Sequence, residues 1–102
     1  MAQFGVYRNL RGSNEYAPYL VDVQCDLLAL ETRAVIPLAS EDYFGTRINR
    51  LNPVFTIESR QLVLATSEIV AIVTHDLKHP IADLSAFRDE IIGAIDFLFT
   101  GV

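Results

Sequence analysis

The chain has 102 residues, of which 13 are acidic and 8 basic, so it carries a net charge of −5 with 51% of its residues hydrophobic. A chain of this length holds one domain around one core, and surplus negative charge repels a phosphate backbone, so a second domain and direct nucleic-acid binding are both disfavoured. A mean hydropathy of +0.29 in so short a chain predicts apolar surface buried between two copies, a homodimer.

The single cysteine, Cys25, rules out an intrachain disulfide and points to a reducing compartment. Met-Ala-Gln-Phe-Gly-Val-Tyr at the start has no basic segment leading into an apolar run, and no stretch reaches the roughly 18 apolar residues of a membrane span. The expected location is the cytoplasm, away from membranes.

Gln3 to Tyr7 alternates and is rich in aromatic and β-branched residues, which predicts a first strand. Arg8 to Pro18 contains Gly12, Ser13 and Asn14 together and reads as a loop. Tyr19 to Cys25 alternates again, with Tyr19, Val21, Val23 and Cys25 on one side and Leu20, Asp22 and Gln24 on the other, a half-buried strand. Leu27, Leu28 and Leu30 extend the apolar character beyond Asp26, where a turn should begin, and are expected to sit partly exposed.

Ala34 to Ala39 is a third strand whose Pro37 cannot donate to a ladder, which suggests an edge or a bulge. Ser40 to Pro53 breaks the pattern in a long excursion with room for a helical turn, the kind of segment that often binds. Val54 to Glu58 and Gln61 to Thr66 read as a hairpin about Ser59-Arg60, without the usual Asn-Gly signal. Ile69 to Thr74 is a further strand, and a loop from His75 to Pro80 follows.

The last stretch, Asp83 to Val102, has helical periodicity. Phe87, Ile91, Ile95, Leu98 and Val102 form one stripe, widened by Ala94, Ile92 and Phe99, with Ser85 as the expected N-cap and Asp89 and Glu90 near the positive end of the dipole. Asp89, Gly93, Asp96 and Thr100 lie on the opposite face; Gly93 marks either close approach by another backbone or a tolerated glycine on a solvated face. The chain ends on Thr100-Gly101-Val102 without a cation in the last turn, an apolar end that should be held against something. Several short strands with one terminal helix give an α+β class, a small, strongly bent antiparallel sheet or barrel with the helix across it.

Signals of catalysis are weak. His75 and His79 have a spacing that could serve a metal on a helix, but Pro80 follows at once and no third ligand is evident, so a surface loop is the better reading. Cys25 has no basic neighbour in sequence to lower its pKa and reads as a packed or interface thiol. No Gly-rich phosphate loop, triad order or carboxylate cluster stands out, so the chain is not expected to be an enzyme or to need a cofactor.

Five collinear blocks carry a family resemblance: Gln3 to Tyr7, Val21 to Leu28, Val35 to Ser40, Ala82 to Ser85 and Ala94 to Val102. Together they resemble the CcdB toxins of bacterial toxin–antitoxin modules from end to end. The resemblance implies a homodimer with an SH3-like barrel and a C-terminal helix, which binds the DNA gyrase A subunit and traps the enzyme on cleaved DNA. It also implies a cognate antitoxin whose disordered C-terminal tail wraps the toxin, in part through the loop at 40–53. The gyrase-facing residues it implies are Gln3, Phe4 and Tyr7; Cys25, Leu27 and Leu28; and Asp96, Phe99, Thr100, Gly101 and Val102. The best-known family pattern ends Trp-Gly-Ile where this chain has Thr100-Gly101-Val102, and has Asn where this chain has Asp96. An endoribonuclease of the same fold, or a homologue that keeps antitoxin binding and operon regulation without attacking gyrase, are the alternatives.

Overall fold

A computed structural model describes residues 2–12 and 14–101. Its strands are β1 (Gly5–Arg8), β2 (Tyr19–Asp22), β3 (Thr32–Ser40), β4 (Val54–Ile57), β5 (Arg60–Leu64), β6 (Val70–Val73) and β7 (Ala82–Asp83). A single helical turn, α1 (Glu41–Phe44), follows β3, and α2 (Arg88–Thr100) is the C-terminal helix. Among the described residues all strand pairings are antiparallel, in the order β4-β5-β3-β2-β1-β7, with β6 added to β3. The two ends of this path meet: Phe55 on β4 packs against Phe87 beyond β7 with ring centroids 5.3 Å apart, and Arg8 on β1 pairs with Glu58 at the β4–β5 turn. The result is a nearly closed small barrel with a C-terminal helix, the expected α+β class.

Of the two readings of Pro37, an edge or a bulge, the edge needs correction, because β3 pairs with β2, β5 and β6 and is the most connected strand among the described residues. One side of β3 pairs with β2 over 35–38; the other pairs with β6 over 32–35 and with β5 over 38–40. Pro37 falls where this second partner changes. Its carbonyl accepts from Ala65 N–H on that side, and Ala65 O is taken by Glu68 N–H, so the missing N–H of Pro37 leaves no acceptor there unpaired.

β2 also departs from the half-buried reading. Tyr19, Val21 and Val23 enter the main core with Val6, Ile36, Leu38, Phe55 and Leu64, while Leu20 joins a second cluster with Tyr7, Val35, Ile72 and Leu77 on the other face. Both faces are covered, so the alternating residues are inside on each side, including Asp22.

The β4–β5 turn lies one residue earlier than expected. Ile57 pairs with Arg60, leaving Glu58 and Ser59 as a two-residue loop with φ of 49° and 67°. Positive φ at both central positions is what the right-handed twist of a hairpin requires, although neither residue favours it. Glu58 is held from outside the turn by the Tyr19 hydroxyl and the Arg8 guanidinium.

α2 begins later than expected. Ser85 is not its N-cap but lies in a 3-10 turn, Ser85–Phe87, where the Asp83 carboxylate accepts from Ser85 N–H and from its hydroxyl at 2.9 Å each. Of the predicted apolar stripe only Ile91 and Ala94 are buried; Ile92 and Ile95 lie partly buried against the main core, and Phe87 and Phe99 are exposed. Val102 lies outside the described residues. The helix stop is well formed, because Gly101 adopts φ 74° and its N–H reaches Phe97 O at 3.0 Å, a left-handed cap that a glycine near the C-terminus could have announced.

Candidate functional site

The candidate residues occupy three places, beginning with the turn after β2. Asp22 is fully buried on a strand otherwise filled with apolar side chains, and it bonds the Arg33 Nε at 2.9 Å. Burial pushes the Asp22 carboxyl above its ordinary pKa, against the pull of Arg33 and of the Gln24 N–H. Arg33, itself only 4% exposed, also donates to Gln24 O and to the Asp26 carboxylate, each at 3.1 Å. Asp26 in turn accepts the Gln3 N–H, which, before the Arg33 guanidinium, holds its carboxyl below the usual range.

Leu27 and Leu28 follow directly. Leu28 N–H closes the turn on Cys25 O at 3.2 Å, and Leu27 stands 91% exposed. An apolar side chain this exposed contributes nothing to the core and is available to a partner. Cys25, read as a packed or interface thiol, is exposed on this same turn, where its sulfur accepts from Leu27 N–H.

Gln3, Phe4 and Tyr7 form the second place. Gln3 is tied to the turn by its backbone N–H to Asp26 and by its side-chain amide to Val23 O at 3.1 Å. Phe4 and Tyr7 are 3% and 2% exposed, so in this chain they underlie the surface rather than form it. Phe4 has φ 70°, a left-handed conformation rarely adopted by an aromatic residue, and its N–H is fixed on Asp22 O. The next residue is closely flanked: a Cβ on Gly5 would lie 3.1 Å from Ala2 O and 3.2 Å from the Tyr7 ring, so a larger residue would require these neighbours to give by a few tenths of an ångström. Arg88 at the start of α2 stacks on Phe4, 5.6 Å from the ring centroid, and donates to Gln3 Oε1 at 3.3 Å.

The end of α2 is the third place. Phe99 is 72% exposed, Asp96 and Thr100 are exposed beside it, and the Thr100 hydroxyl donates to Asp96 O at 2.7 Å. Arg50 from the loop at 45–53 lies over the Phe97 ring at 4.8 Å. That loop is built on Asn52, whose amide accepts from Ile48 N–H and donates to Leu64 O at 3.0 Å each. A cleft of about 310 Å³ separates the loop from Asp89, Glu90 and Gly93, and nothing lies within 4 Å of a Cβ placed on Gly93. The close backbone approach that Gly93 could have signalled does not occur among the described residues.

The structure thus brings Gln3 and the 25–28 turn together, but not the helix end. Among the described residues no hydrogen bond or ion pair links Asp96–Gly101 to either. From Arg88, which touches Gln3, to Thr100 the helix advances about 18 Å.

Sequence reasoning missed Arg33, Asp26 and Arg88, which hold the candidate residues in place. The readable signal was a pair of opposite charges, Asp22 and Arg33, interrupting two otherwise apolar neighbouring strands. His75 and His79 are exposed, and no group of three or more His, Cys, Asp or Glu side chains gathers among the described residues. No helix is long and apolar enough to cross a membrane among those residues. Two adjoining concave regions lie around the 8–11 segment and the 76–81 loop, where Arg8, Arg11, Asp76, Lys78 and His79 border Leu10, Leu20, Ile72 and Ile81. In comparison with known families, the model described as CcdB protein matches residues 3–101.

Proposed function

The chain belongs to the CcdB family, the toxins of toxin–antitoxin modules, and from that premise we propose that it is a proteinaceous poison of DNA gyrase. It is a single toxin domain over residues 1–102 and acts in the cytoplasm, by binding rather than by turnover and without a cofactor. Its target is the dimerisation region of the gyrase A subunit. Binding favours the gyrase state with cleaved DNA, since a ligand shifts an equilibrium only by its differential affinity for the states.

Gln3, Cys25, Leu27 and Leu28 offer one part of the contact surface, and Asp96, Phe99, Thr100, Gly101 and Val102 the other. Phe4 and Tyr7 support the first part from below. The observation that carries this reading is Leu27, an almost wholly exposed leucine on a turn fixed by hydrogen bonds on every side. Exposed apolar side chains on rigid supports are what protein partners use as anchors.

Because the two parts lie apart in one chain, a homodimer that sets them side by side across its two-fold axis suits the reading. Exposed Val70 and Val73 on β6 and Leu30 beside them supply further apolar surface for such a pairing. A cognate antitoxin neutralises the toxin with a disordered tail, in part through the loop at 40–53.

The test is DNA cleavage by purified gyrase with ATP and this protein, against gyrase carrying a resistance substitution in the dimerisation region of its A subunit. Linear DNA is expected with native gyrase alone. Its absence, with a folded protein that still binds antitoxin, would make the chain a module component that does not attack gyrase, consistent with Thr100 and Asp96 standing where the family pattern has Trp and Asn.

A further inference from the structure

We infer that Arg33 is a positioning residue for this surface, a buried guanidinium clasp that acts through Asp26 to hold Leu27, Leu28 and Gln3 in one register. Its consequence for binding rests on the gyrase reading above; the clasp itself can be tested without gyrase.

The geometry asks for more than neutralisation of a buried carboxylate. The Nε of Arg33 already answers Asp22 at 2.9 Å. Its Nη2 then reaches past Asp22 to two points on the turn, Gln24 O and the Asp26 carboxylate. Both oxygens of Asp26 also accept the Gln3 N–H, at 2.9 and 3.1 Å, so the carboxylate bridges the guanidinium to the N-terminal segment. Gln24 is locked independently, with its N–H on Asp22 Oδ1 and its Oε1 accepting from Ala34 N–H. The backbone just ahead of Leu27 therefore has little freedom left.

Only a planar fork of donors meets this demand, since the three acceptors lie in different directions around one guanidinium. Asp26 is itself largely exposed, at 53%, and Arg33 is the one buried residue it bonds among those described. A purely structural ion pair would have stopped at Asp22. A partner that docks on Leu27 and Leu28 gains when these side chains need no ordering at the moment of binding.

The experiment compares Asp26→Ala, Asp26→Asn and Arg33→Lys in the full chain, reading melting temperature, amide exchange at Gln3 and affinity for the gyrase A subunit. Asp26→Ala leaves the Asp22–Arg33 bond in place, so its melting temperature should move by less than about 3 °C. Exchange at Gln3 should rise at least about tenfold. Affinity should fall about tenfold, as expected when two leucine side chains must be ordered on binding.

Asp26→Asn keeps an acceptor for Gln3 N–H and should recover part of both losses. Arg33→Lys keeps the charge beside Asp22 but cannot span the turn, and in the double variant should add to the affinity loss of Asp26→Ala only what the Gln24 O contact contributes, well short of full additivity. Unchanged Gln3 exchange in Asp26→Ala overturns the clasp, and faster exchange with unchanged affinity overturns its positioning role. If the native protein binds no gyrase, the functional reading fails instead, and the exchange measurement still decides whether the clasp exists.

Discussion

The turn at 24–28 and the end of α2 present candidate residues in opposite ways. The turn is held by a buried guanidinium and two carboxylates and rests on a core covered on both faces. The helix is anchored by Ile91 and Ala94 near its first half, and its end projects with Phe99 exposed and a glycine closing the last turn. One region gains its fixed geometry from long-range polar bonds, the other chiefly from local helix geometry, with Ile95 on the core and Arg50 over Phe97 as its long-range supports. Substitutions should therefore separate stability from binding differently in the two.

The largest effect is expected at the root of the turn. Arg33→Met leaves Asp22 buried without its partner and should cost about 3–5 kcal/mol of stability, measured by urea unfolding. A loss below about 1 kcal/mol would mean that water replaces the guanidinium and that the turn is no better held than the helix end. The corresponding change at the helix, Ile91→Ala, removes the larger of its two buried anchors and should cost about 2–4 kcal/mol. If the comparison is right, Ile91→Ala also speeds amide exchange along α2 while leaving the β2–β3 strands protected.

At the tips the ranking reverses between stability and binding. Leu27→Asp should change stability by no more than about 0.5 kcal/mol, because nothing in the fold rests on this side chain. The same variant should weaken binding to the gyrase A subunit by about 2 kcal/mol or more, as loss of an anchor does. Retained affinity would remove Leu27 from the contact surface. Gly101→Ala tests the helix end: a Cβ meets no neighbour there, so the cost is only that of φ 74°, about 1 kcal/mol. A larger loss would mean that more of the fold depends on the helix end than its exposure indicates.

These two regions also differ in what could be read from the sequence. The helix was legible from the 3.6-residue period of Ile91, Ala94, Ile95 and Leu98, but not the shallowness of its seat, which depends on how far the barrel surface extends beneath it. Leu27 and Leu28 were legible as apolar residues without a place in the core. Burial of Phe4 and Tyr7 was not, since alternation along a strand identifies two faces and says nothing of whether both are covered. Pro37 misled because a missing donor matters only on the side where a partner strand runs, and that side is fixed by β5 and β6, which come later in the chain. The Arg33 clasp needs Gln3, Asp22, Gln24 and Asp26 to meet in space, and no local pattern encodes that meeting.

The smallest effect belongs to a second carboxylate clamp, which sharpens the comparison because it is exposed where that of Asp22 is buried. Glu58 holds a turn whose two central residues both have positive φ, and its pKa is lowered first by the Tyr19 hydroxyl and then by Arg8. A carboxylate with a depressed folded-state pKa stabilises fully above its unfolded value of about 4.3 and loses that contribution as pH falls through the lower folded value. Burial raises the Asp22 pKa, so its proton uptake on acidification runs the other way and favours the folded state. The native protein should therefore melt a little above Glu58→Gln at pH 6, with the gap closing below about pH 4.3. Solvent and salt screen this exposed pair, so added salt should narrow the gap at pH 6 as well. A gap that persists unchanged to pH 3 would show that the shape of the Glu58 side chain, rather than its charge, keeps the turn in its left-handed conformation.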